Sequence, residues 1–144
     1  MTASSVKPPT WFWVVSVIAL IWNIIGILNY LNQAFNQVAI LESLNQAQRE
    51  VFEAIPAWAT ACFAIAVFSG AIASVGLLLR RKWSKILFIV SLVAATAQFI
   101  HWLFMSNAVE AFGPSTYGMP IMVIAIGVLF VFFSKKSAEK GWLK

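Results

Sequence analysis

The sequence predicts an all-α, polytopic membrane protein: a four-transmembrane-helix bundle with a short external amphipathic helix between helices 1 and 2. Composition points there first, since 61% of residues are hydrophobic and 10% charged, far from the balance of a soluble domain. Four uncharged apolar stretches, 11–31, 57–79, 86–106 and 117–133, then take up more than half of the 144 residues. A helix rises about 1.5 Å per residue and needs roughly 20 apolar residues to cross hydrocarbon, a length that the first three stretches reach and the fourth approaches. The segments left over are too short for a soluble domain, so residues 1–144 read as a single membrane domain.

The first stretch follows MTASSVKPPT, where a single Lys7 and no small-residue cleavage pattern predict a retained helix rather than a removed signal. Beyond it, Ser43 with Gln46 spells a capping box. Leu44, Ala47, Val51 and Ile55 follow at steps of three and four, beside an Arg49/Glu53 pair. This pattern predicts a helix over about 43–54 that lies on the membrane surface or covers the mouth of the bundle. Pro56 suits the first turn of the second span, where its missing N–H is not needed. Between the last two spans, Gly113-Pro114 predicts a tight turn and Pro120 a helix start, and residues 134–144 form a tail.

Charge placement sets the orientation, because Lys and Arg near span ends favour the cytoplasmic side. Lys7, the loop from Arg80 to Lys85, and the tail with Lys135, Lys136, Lys140, Lys144 and Glu139 together carry a net +8. The segments between spans one and two and between spans three and four carry a net −3, from Glu42, Glu50, Glu53 and Glu110 against Arg49. Both termini are therefore expected in the cytoplasm. Topology accounts for the formal +5 of the whole chain, which excludes nucleic acid as the reason for its basic balance. On the same map Trp11, Trp13 and Trp83 mark the cytoplasmic boundary, and Trp58 and Tyr117 the outer one. Trp22 sits mid-span and is expected to pack or face lipid, and Cys62, the only cysteine, is expected to be a small packing residue.

Each span carries a stripe of small or polar residues: Ser16, Ala19, Asn23, Gly26 and Tyr30; Ala59, Cys62, Ala66, Ser69, Ala73 and Gly76; Ser91, Ala94, Gln98, His101 and Met105; Pro120, Val123 and Gly127. Helices associate in lipid through close packing and interhelical hydrogen bonds, so these faces predict a compact bundle, contact between copies of the chain, or a membrane partner protein. The larger polar groups, Asn23, Asn29, Tyr30, Thr60, Gln98 and His101, fall in the outer half, whereas Ser16, Ser74 and Ser91 further in are expected to bond their own helix backbone. Uncompensated polar groups in hydrocarbon are costly and point inward. The outer cluster is thus either a pocket, opening outward, for a small neutral solute, or hydrogen-bonded glue between helices.

The residues also exclude chemistry. There is no Asp, and all five Glu lie outside the spans, so proton coupling through a buried carboxylate is not expected. One His, one Cys and no intramembrane acid leave neither a metal site nor a catalytic set, and no motif names a reaction or a cofactor.

WNIIGILNY in the first span, IPAWATACFAIAVFSGAIAS into the second, LLLRRKWSK between spans, and GPSTYGMPIMVIAIGV through to KGWLK carry a resemblance. Together they resemble small, largely uncharacterised bacterial four-helix inner-membrane proteins that often bear the label sugar transporter. That resemblance implies a sugar as the neutral solute. Amides at Asn23, Asn29 and Gln98 would meet its hydroxyls, and the rings of Trp22 and Trp102 would stack on its faces.

Overall fold

In a computed structural model, residues 7–144 are described and are mostly helical, with no strand among them. The stretch 1–6, which opens the expected domain, lies outside the described residues. Four long helices carry the fold: α1 (Thr10–Phe35), α4 (Ala57–Leu78), α5 (Trp83–Ile100) and α7 (Gly118–Glu139). Each, with the turns that extend α5 and precede α7, is long and apolar enough to cross a membrane. Two short helices, α2 (Gln37–Glu42) and α3 (Gln46–Glu53), link α1 to α4. A π-helical turn (His101–Met105), α6 (Ala108–Phe112) and a 3-10 turn (Pro114–Tyr117) link α5 to α7.

The long helices pack in the order α1, α4, α5, α7, with α4 against α1 and α5, and α5 against α7. The row curls, so that α1 and α7 face each other and meet at one end through Trp11, Phe12 and Phe133, whose ring centroids are 5.6–5.8 Å apart. This is the basic end of the bundle. Phe12, Ala19, Ala73, Leu77, Phe88, Trp142 and Leu143 form its buried core, while a smaller cluster of Ala66, Ala94 and Ala95 with Cys62 lies nearer the opposite, acidic end.

The stripes are buried on α1 and α4 almost as their spacing implies: Ser16, Ala19 and Asn23 on one, and Ala59, Ala66, Ser69, Ala73 and Gly76 on the other. On α5 the pattern breaks. His101 is buried, but Met105 is exposed, because the π-turn rotates the chain away from the α-helical register.

Several boundaries and caps differ from the sequence pattern. The capping box of α3 is Asn45 with Gln48, whose side chains and backbone amides bond reciprocally at 2.9 and 3.2 Å. Ser43 instead donates to the Ile40 carbonyl at the end of α2, because a break between α2 and α3 puts the helix start two residues later than expected. Arg49 does not pair with Glu53. Its Nε donates to the carbonyls of Leu41 (2.7 Å) and Leu44 (3.1 Å), satisfying groups that the end of α2 leaves open. Val51 is buried, and Gln48 bonds the Ala111 carbonyl of α6, so α3 packs against the α5–α7 connection. Pro56 stands just ahead of α4 as its extended N-cap rather than in the first turn.

The tail is the largest departure. α7 continues to Glu139, and the residues after it fold back into the core instead of trailing from the bundle. Gly141, at φ 78°, ends α7 in a Schellman motif: its N–H bonds the Ala138 carbonyl, and the Trp142 N–H bonds that of Ser137. α4 ends the same way around Arg80, at φ 56°, with the Arg81 N–H on the Gly76 carbonyl. The two motifs then clasp each other. Lys144 N–H donates to Arg80 O (2.7 Å), Lys82 N–H to Lys144 O (3.2 Å), and Arg80 Nε to Trp142 O (2.8 Å). Because a Cβ is strained in this left-handed region, Gly141→Ala is expected to cost about 1–2 kcal/mol, read as a lowered thermal midpoint in detergent.

Candidate functional site

A cavity of about 310 Å³ lies in the hollow between α1 and α7, walled by all four long helices. Its deep end is apolar, with Phe88 of α5 and Phe130 of α7 in ring contact at 5.6 Å. Phe63, Val67, Phe99, Val123 and Met122 continue the walls toward the acidic end. Against them stand only a few hydrogen-bonding side chains: Asn23, Asn29, Ser91, Gln98 and the indole of Trp22.

These polar groups are not equivalent. Asn23 is 8% exposed and committed, since its Nδ2 donates to the Ala19 carbonyl (2.8 Å) and to Ser74 Oγ on α4 (3.3 Å). A glycine makes this possible: a Cβ at Gly70 would overlap Asn23 Oδ1 and lie 2.8 Å from its Cγ. Asn23 is therefore interhelical glue at the edge of the cavity. Ser91 was expected to bond its own helix, as Ser16 and Ser74 do, to Phe12 O and Gly70 O. It donates instead to the Ala66 carbonyl of α4 (2.6 Å), because small residues at that crossing bring the two backbones close. Gln98 differs from both: its side-chain amide makes no hydrogen bond among the described residues, and it lines the cavity. Asn29 is exposed at the cavity's rim, and Trp22, expected to pack or face lipid, is a half-buried wall.

The remaining candidates lie in two smaller cavities toward the acidic end. One, of about 120 Å³, is lined by Gln98 again, with Thr60, His101, Trp102, Gln33 and Phe52. The other, of about 210 Å³, is lined by Tyr30, Thr60, Gln33 and Glu53. The seven residues thus do not surround one pocket; they are spread along three cavities joined where Gln98 and Thr60 are shared walls, and His101 also lines a fourth, of about 340 Å³, with Glu50 and Glu110. Tyr30 packs edge-on against Phe63 and Phe68. Trp102 lies 5.6 Å from the Phe112 ring, and its carbonyl accepts the Ser106 hydroxyl. The π-turn seats His101 edge-on to Trp58 at 5.3 Å, with no hydrogen bond to its imidazole among the described residues.

The phenylalanine and methionine walls had no sequence signal, because an apolar residue facing a cavity, a neighbouring helix or lipid looks the same in a hydrophobic span. Among the described residues, no three His, Cys, Asp or Glu side chains gather as a metal site would need. The fold and cavity define a small helical protein with four apolar helices long enough to span a membrane, hence one compatible with a multi-pass integral membrane protein. No protein-family model matches the chain, and no curated protein or solved structure matches it.

Proposed function

We propose that this is an integral protein of the bacterial inner membrane that binds a small neutral solute in the central cavity and moves it without a buried carboxylate to carry protons. The observation that carries the reading is Gln98, an amide without a partner among the described residues, on the wall shared by the central cavity and the small cavity beside it. Gln98 is half-buried, so the amide is open to a ligand, and a solute with a hydroxyl or amide that fills the cavity meets its donor and acceptor. Orientation follows from charge. The start of α1, the Arg80 loop and the C-terminal residues share one end of the bundle, which takes the cytoplasmic side, and α3 with α6 takes the outer one. A sugar is the solute that the sequence resemblance suggests, although apolar walls favour a molecule with fewer hydroxyls.

The test is a thermal-shift screen of neutral solutes on the detergent-solubilised protein. Gln98→Leu is expected to keep the unliganded midpoint within about 1 °C, because no intramolecular bond is lost, and to abolish any saturable shift. A midpoint several degrees lower, with the shift retained, would overturn the reading.

A second reading is an accessory subunit, or a homo-oligomer, packed through α7. Among the long helices α7 packs along α5 and meets α1 through Phe133 at the basic end, and just 6% of its span is buried, against 44% for α4. In that case no solute moves the midpoint.

A further inference from the structure

We infer that the central cavity receives its ligand sideways from the bilayer, through the gap between α1 and α7, and that the ligand is a single-chain neutral amphiphile whose hydroxyl or amide head meets Gln98. The inference rests on the solute-binding reading above and narrows its substrate class.

Hydrogen-bonding capacity comes first. Asn23 Nδ2 is already used on Ala19 and Ser74, and the Ser91 hydroxyl on Ala66, which leaves the Gln98 amide between apolar walls, with the Trp22 indole and, at the rim, the Asn29 amide, as the uncommitted polar groups. So few groups satisfy one small head. A sugar, hydroxylated at nearly every carbon, would press most of its hydroxyls against phenylalanine and methionine, each unmatched group being penalised. An alkyl or prenyl chain meets those walls without penalty.

The opening is the second observation. Ile25 on α1, with Met119 and Met122 on α7, line the cavity and yet are 51%, 55% and 44% exposed. Wall residues as exposed as these mark an open side. This one runs along the apolar flank of two spans, whereas at the basic end the same helices are closed by Trp11, Phe12 and Phe133. Methionines on the α7 side make that edge adaptable, since an unbranched thioether side chain yields to the shape of what passes. A molecule reaching the gap must already be dissolved in the bilayer.

The experiment uses the full chain in phosphatidylcholine vesicles with a long-chain alcohol bearing a photoactivatable diazirine, and adducts are mapped by peptide mass spectrometry. Labelling is expected at Trp22, Gly26 and Met122, is expected to be displaced by excess unlabelled alcohol, and is expected to fall about tenfold in Ile25→Trp, which narrows the gap at an exposed position. Met122→Trp on the other edge is expected to act alike, so the result does not hang on one variant folding. Labelling that is not displaced and that favours the outward-facing Val14 and Ile18 would overturn the inference. If the alcohol misses the cavity while a water-soluble neutral solute still gives a Gln98-dependent thermal shift, the amphiphile falls and the binding reading stands. If neither binds, both fall.

Discussion

Replacing Trp142 by alanine is expected to destabilise the fold by about 3–5 kcal/mol, the largest effect of any single substitution considered. The indole is 7% exposed in the core at the basic end, with its ring 5.2 Å from Trp11, 5.8 Å from Phe12 and beneath Lys140 Nζ at 5.0 Å. Removing it takes away the packing that holds the start of α1 against the end of α7, the two helices that otherwise face each other across a cavity. It also leaves the clasp between Lys144 and Arg80 without the side chain that seats it. Trp142→Phe, which keeps most of the apolar volume, is expected to cost under about 1.5 kcal/mol. Titration of the folded protein in mixed micelles with sodium dodecyl sulfate, followed by circular dichroism, measures both. A Trp142→Ala protein within about 1 kcal/mol of the parent would show that the clasp does not hold this end.

The second large effect lies at the α1–α4 crossing. Gly70→Ala is expected to cost about 1–3 kcal/mol although it adds a single methyl group, because that methyl would occupy the position of Asn23 Oδ1 and approach Ser91 Oγ to 3.1 Å. Asn23 would have to leave Ser74, and α1 and α4 would move apart. Asn23→Ala alone, which removes one interhelical hydrogen bond, is expected to cost about 0.6–2 kcal/mol. The double substitution should cost clearly less than the sum, with a coupling of about 1 kcal/mol or more, because the clash vanishes once the amide is gone. Strict additivity in the same titration would mean that Gly70 serves some purpose other than making room for Asn23.

These two sites mark how far the sequence could be read. Ala19, Asn23, Ala66 and Ala73 were recognisable as a close-packing face from spacing alone, since residues three and four apart share one side of a helix. Whether Asn23 was glue or part of a pocket was not readable. The answer depends on Ser74, 51 residues away, and on a glycine that lets the amide lie flat against α4. Gln98 looks identical in sequence, yet its amide finds no partner among the described residues. Ser91 likewise bonds Ala66, 25 residues away, rather than its own helix. The π-turn at His101 carries no local signal in HWLFM, so Met105 could not be removed from the stripe in advance. KGWLK read as a basic tail because Lys140 and Lys144 dominate its charge, but the burial of Trp142 and Leu143 depends on a surface assembled from α1, α4 and α7.

By itself the sequence determined the four apolar helices, their approximate limits and the charge difference between the two ends of the bundle. Each of these is a sum over neighbouring residues and needs no knowledge of distant ones: hydrophobicity along a window, and positive charge beside it. The tertiary structure alone decided the rotation of each helix, the hollow between α1 and α7, the division of equivalent amides into a used and an unused one, and the folding back of the tail. Those depend on distances of a few ångströms between atoms far apart in the chain, and only packing sets such distances.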